Sequence, residues 1–138
     1  MLFDESTPTS PFISVLHREH GKYINDKVKD DGLSFGIYPL LIHIYKNEGI
    51  TQEEIAKALH LNESTVTRNL KKLEDKGFIE KVQDKRKKRI KTTEKGEKTV
   101  EKAMDYDEKW DEKIKKSLSD EEYIMFKEIL MKICEDLI

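Results

Sequence analysis

One cysteine, three prolines, six glycines and one tryptophan are all that this sequence of 138 residues holds of those types. The lone thiol, Cys134, excludes an intrachain disulfide framework and any zinc or iron–sulfur site built from several cysteines. So few chain-breakers argue against a sheet protein with many turns. Long apolar runs are missing as well. The longest, Ile37 to Ile44, is interrupted by Pro39 and His43 and is far too short to span a bilayer. Met1 to Ser10 carries Asp4 and Glu5 and lacks the basic-then-apolar order of a secretory signal. No glycine-rich phosphate loop, HExxH, GxSxG or CxxC pattern occurs, so no catalytic residue is assigned and no enzyme is expected. The absences together predict a soluble cytoplasmic protein with no cofactor and no membrane partner.

Charge is what the chain has in abundance: 39% of its residues are Asp, Glu, Lys or Arg, yet the net charge is only −2. Those charges are unevenly placed. Residues 51–98 carry a net +5 and the remainder a net −7. The segment from Lys85 to Lys91 puts six cations in seven positions. A charge run alone signals a solvated face, so the elements around it must give it meaning.

Beyond a proline-bearing start (Pro8, Pro11) that is expected to be mobile, Phe12, Leu16, Tyr23, Ile24 and Val28 recur at helical spacing, and Asp31-Gly32 ends that helix. Phe35 to Asn47 reads as a second helix, apolar nearly all round and therefore buried. Thr51-Gln52-Glu53-Glu54 is a capping box opening a short helix with Ile55, Ala58 and Leu59 inward. After the turn at His60-Leu61, Asn62 caps a longer helix that runs to about Lys76, with Gly77 closing it. Val66, Leu70 and Leu73 form its inner stripe, and Ser64, Arg68, Lys71 and Asp75 lie opposite. Two short strands follow, Phe78 to Val82 and Arg89 to Thr92, joined by the basic turn Gln83 to Lys88. Two long helices close the chain. The first runs from Thr93 to Leu118, and the second, capped by Ser119, repeats Tyr123, Phe126, Leu130, Ile133 and Leu137 at heptad-like spacing.

Short helix, tight turn, longer helix and two-stranded hairpin make a winged helix-turn-helix. The predicted class is mainly α with a small β-hairpin wing, flanked by terminal helices. An α-helix fits the major groove of B-DNA, so the outward residues of the longer helix are candidates for base contacts: Ser64, Thr65 and Thr67, with Arg68 able to grip a guanine edge. Lys71 and Lys72 lie further back, where phosphate is the natural partner. Thr51 and Gln52 open the preceding helix and offer backbone N–H groups to another phosphate. At the hairpin tip, Arg86 is the candidate for a narrow minor groove, with Lys85, Lys87 and Lys88 along the backbone. Asp84 is expected to pair with Arg86 or Arg68.

The run from Val66 to Lys81, VTRNLKKLEDKGFIEK, resembles the recognition helix and first wing strand of the multiple-antibiotic-resistance regulator (MarR) family. Asp84-Lys85-Arg86 and Thr93-Glu94-Lys95-Gly96 resemble its wing tip and the start of its next helix. Thr92 stands where the family usually has an apolar residue. The resemblance implies a homodimeric transcriptional regulator, usually a repressor, on a pseudo-palindromic operator in double-stranded DNA. It divides the chain into an N-terminal dimerisation helix (1–34), a DNA-binding lobe (35–98) and C-terminal dimerisation helices (99–138). The terminal stripes independently supply more apolar surface than one chain would bury. The resemblance also implies a small phenolic or anionic effector bound near Arg18, His20 and Tyr38. The alternative from another class is a winged-helix module whose basic face binds an acidic protein. His17 and His20, three apart, read as surface histidines with no metal, His43 as a satisfied core residue, His60 as a turn residue and Cys134 as a small residue of the dimer interior.

Overall fold

The computed structural model describes residues 2–138. Helix α1 (Thr9–Val28) is followed by a 3-10 turn and by α2 (Tyr38–Lys46), α3 (Gln52–Leu59) and α4 (Glu63–Asp75). The hairpin β1 (Ile79–Asp84) and β2 (Lys87–Thr92) comes next, then α5 (Glu94–Lys115) and α6 (Asp120–Leu137). Mostly helical with one antiparallel hairpin, the chain has the predicted class.

One core joins the helix-turn-helix to the helices around it. Ile24 and Val28 of α1, Leu41 and Ile44 of α2, Ile55 of α3, Val66, Leu70 and Leu73 of α4, Phe78, Ile90 and Val100 are all essentially inaccessible. Local signals set most of the element ends. Gly32 and Gly77 end helical segments at φ values of 82° and 79°, in the left-handed region that glycine enters without steric cost. Ser119 and Glu122 form a second capping box at the start of α6.

The structure corrects several expectations. Helix α1 begins at Thr9, so Pro11 lies in its first turn; before it, Asp4 accepts from the backbone and hydroxyl of Ser6. Helix α2 begins at Tyr38 rather than Phe35, with Pro39 in its first turn; the Phe35 N–H is taken by the Asn25 side chain at 2.8 Å instead. In α3 it is Ala56, beside Ile55, that is buried, while Ala58 faces solvent. The imidazole of His43 is not satisfied: its Nε2 is buried with no hydrogen-bond partner among the described residues.

The hairpin is longer and its turn tighter than expected. Ile79 pairs with Thr92 and Asp84 with Lys87, so only Lys85 and Arg86 form the connection, and Lys87 and Lys88 belong to β2. Lys85 adopts a φ of 55° to make that turn. Past its root the hairpin is solvated on both faces, so no apolar alternation marks the strands. The root itself is tied down, with Gly49 N–H donating to the Ile90 carbonyl at 3.0 Å and Ile90 N–H to the Ile50 carbonyl at 2.9 Å.

Candidate nucleic-acid interface

Capping side chains hold the two helices of the motif. Thr51 accepts from the Glu54 N–H, and the Glu54 carboxylate accepts from the Thr51 N–H at 3.1 Å. Asn62 accepts from the Thr65 N–H and from the Ser64 hydroxyl, both at 2.8 Å. Thr67 donates to the Glu63 carbonyl at 2.8 Å and accepts from the Gln52 amide. Two residues assigned to DNA by sequence, Gln52 and Thr67, thus bond to each other across α3 and α4. Thr65 is half-buried.

Arg68 differs from them. It is exposed in the middle of the outer face of α4 and makes no hydrogen bond or ion pair among the described residues. Lys71 makes only an exposed contact with Asp75, at 3.4 Å, of the kind water screens to little value. Lys72 lies exposed one position on.

On the wing, Lys85, Arg86, Lys87 and Lys88 are all exposed. Arg86, Lys87 and Lys88 share an open recess of about 210 Å³ with Thr51, Gln52 and Glu53, which brings the wing cations to the N-terminal end of α3. Asp84 does not pair with Arg86 or Arg68. Its Oδ2 accepts from Nε of Arg89 at 2.9 Å, and Arg89 Nη1 donates to the Gly49 carbonyl at 3.0 Å. The pairing follows from register: Asp84 opposes Lys87, so Arg89 is the diagonal neighbour on the same hairpin face. Arg86 stays unpaired among the described residues. Thr92, the departure from the family pattern, is buried and donates both its N–H and its hydroxyl to Glu48, a partner that sequence reasoning missed.

A second polar cluster lies where α1, α2 and α5 meet. The Tyr38 hydroxyl donates to Asp107 at 3.1 Å and lies 3.4 Å from His20 Nε2, which is 4.0 Å from Asp107. The His20 ring sits between Phe35 and Trp110, at centroid distances of 5.4 and 5.0 Å. Burial holds the His20 pKa below its ordinary value despite Asp107, while burial pushes those of Asp107 and Tyr38 up. His20 and Tyr38 are therefore together, as expected. Arg18 is not with them: it projects from the far side of α1 beside Glu19, with 60% of its side chain exposed. Asp107 escaped sequence reasoning because carboxylates are common along α5 and only packing distinguishes this one.

Residues 37–91 match the MarR family. The chain is 32% identical to the HTH-type transcriptional regulator BilQ of Clostridium symbiosum over 88% of its own length and 87% of the relative's. It is 40% identical to the uncharacterized HTH-type transcriptional regulator YybA of Bacillus subtilis over 62% of this chain and 59% of that one. Among solved structures, the S. aureus MepR–DNA complex shares 31% identity at a TM-score of 0.83, covering 97% of this chain and all of that one (100%). A putative MarR family regulator of Listeria monocytogenes, complexed with 26mer DNA, shares 28% identity at a TM-score of 0.85, over 95% of this chain and 89% of that one. Helix order, capped recognition helix, basic hairpin and sequence likeness along most of its length make this chain a member of the MarR family.

Proposed function

We propose that the chain is a sequence-specific, double-stranded DNA-binding transcriptional regulator that acts as a homodimer in the cytoplasm. The observation that carries this reading is the outer face of α4, where an exposed and unpaired Arg68 stands beside Ser64 and is flanked by a wing whose Arg86 is equally unengaged. Two of the similar proteins were crystallised with DNA, in keeping with that face being a reading head. Ser64 and Arg68 contact base edges. Lys71, Lys72, Lys87, Lys88 and the N-terminus of α3 hold phosphates, and Arg86 enters the minor groove, with Lys85 beside it. Gln52 and Thr67 hold α3 and α4 together instead of reading bases.

Residues 1–34 and 99–138 form the dimerisation region and 35–98 the DNA-binding lobe. A twofold dimer presents two copies of α4, which calls for a pseudo-palindromic operator with half-site centres about 10 base pairs apart. The regulator is a repressor, released by a small effector at the junction holding His20 and Tyr38. Footprinting tests the reading: one defined palindromic site is protected in preference to random duplex, an outcome a protein-binding module would not give. Arg68→Ala is expected to cost about 1–3 kcal/mol on that site and to relax discrimination at one base position. Equal losses on operator and random duplex would refute a base-reading role.

A further inference from the structure

The wing meets the rest of the chain along the outer edge of β2, where residues 48–50 run antiparallel to it. Ile50 and Ile90 form a backbone bridge there. Continued by two positions, that register sets Glu48 opposite Thr92. The backbone leaves the register at this point, because Gly49 takes a φ of 85°. A side chain replaces it. The Thr92 N–H donates to the Glu48 carboxylate at 3.3 Å, and the Thr92 hydroxyl donates to the same group. Glu48 thus stands in for the strand carbonyl that is missing. Thr92 is only 7% exposed, so without Glu48 both donors would be shut away from water unmet.

Toward the tip the hairpin has no comparable anchor. Residues 83–88 make no hydrogen bond or ion pair outside the hairpin among the described residues. Strand β2 is 6 residues long, which at ~3.4 Å per step puts its tip about 17 Å from Thr92. Over that length, angular play of roughly 10° at the root carries Arg86 about 3 Å sideways, half the ~6 Å width of the minor groove. We propose that Glu48 is a positioning residue for the wing: by closing the outer edge of β2 at Thr92, it fixes the hairpin's angle to α4 and lets Arg86 reach its groove. The proposal rests on the DNA-binding reading and adds to it a residue that touches no DNA. Its sign separates it from simple electrostatics. By charge alone, removing a carboxylate from this lobe would strengthen DNA binding, whereas losing a positioning contact weakens it.

Glu48→Ala is expected to weaken operator binding about fivefold. It is also expected to erase the advantage of A·T-rich over G·C-rich flanks, as Arg86→Ala does. Combined with Arg86→Ala it is expected to add no further loss, while its loss multiplies with that of Arg68→Ala. Thr92→Val, which removes the hydroxyl without changing charge, is expected to follow Glu48→Ala. Thr92→Ser, which keeps the hydroxyl, is expected to match the parent. Tighter binding by Glu48→Ala, or a loss that multiplies with that of Arg86→Ala, overturns the proposal. Hydrogen exchange without DNA keeps the two readings apart. Amides of residues 81–89 are expected to exchange about tenfold faster in Glu48→Ala and Thr92→Val than in the parent, with those of α4 unchanged. Unchanged exchange in the wing overturns the positioning role whatever the DNA result. A parent that prefers no duplex, with a wing that loosens in both variants, loses only the regulator reading and leaves the tie at Thr92 standing.

Discussion

Arginines on the wing illustrate how one residue type takes different work from its surroundings. Arg89 is held at both ends of its guanidinium, by Asp84 and by the Gly49 carbonyl, and so fixes the wing to the loop after α2. Arg86, three positions earlier, is left free by that same pairing. Arg86→Ala is therefore expected to weaken binding most on operators with narrow, A·T-rich flanks, as measured on matched duplexes that differ only in the flanks. Indifference to flank sequence would remove the minor-groove assignment. His20 supports a prediction of a different kind. Its folded pKa lies below the ordinary 6.5, so the unfolded chain takes up the proton first. Stability from its neutral form is complete above 6.5 and is lost as pH falls through the folded value. Thermal unfolding between pH 7.5 and 5 (a range set about the ordinary histidine pKa of ~6.5) should show this loss, and His20→Gln should flatten it. An unchanged slope in the variant would remove His20 as the source of the acid sensitivity.

At the scale of elements, the start of α5 is closely tied to the end of α4. Thr93 caps the helix by accepting from the Gly96 N–H at 3.0 Å and also donates to the Gly77 carbonyl, so the end of α4 and the start of α5 share one side chain. A Cβ added to Gly96 would lie 2.1 Å from the backbone oxygen of Phe78. Helix propensity favours alanine over glycine by about 1 kcal/mol. The clash is with backbone, which no rotamer change relieves, so sterics win and Gly96→Ala is expected to destabilise by about 1–3 kcal/mol in denaturant unfolding. A stabilised variant would show that α5 can shift away from the Phe78 backbone. The caps at Thr51, Asn62, Thr93 and Ser119 were all readable or partly readable as sequence patterns, because each acts within one helical turn. The start of α2 was not. Its position depends on Asn25, ten residues away, capturing the Phe35 N–H.

For the whole molecule, the decisive feature is a surface that one chain leaves uncovered. Ile124, Met125, Ile129, Leu130, Met131 and Ile133 of α6 are each between 43% and 58% exposed, and Phe12, Ile13 and Leu16 extend the patch on α1. An apolar patch of that extent is what the proposed dimer would cover. Leu130→Glu is expected to yield monomers by sedimentation and to abolish tight operator binding while leaving the lobe core intact. A variant that stays dimeric would place the interface elsewhere.

Short-range order was written into this chain: helical stripes, caps, the glycines that end helices, and the basic middle between acidic ends all act among neighbours a few positions apart. Pairings between distant groups needed the folded molecule. Asp84 found Arg89 through strand register, Thr92 found Glu48 across 44 positions, and Tyr38 met Asp107 across 69. Among so many carboxylates and cations, residue type alone does not select a partner; distance and exclusion of water do, and both arise only when the helices pack.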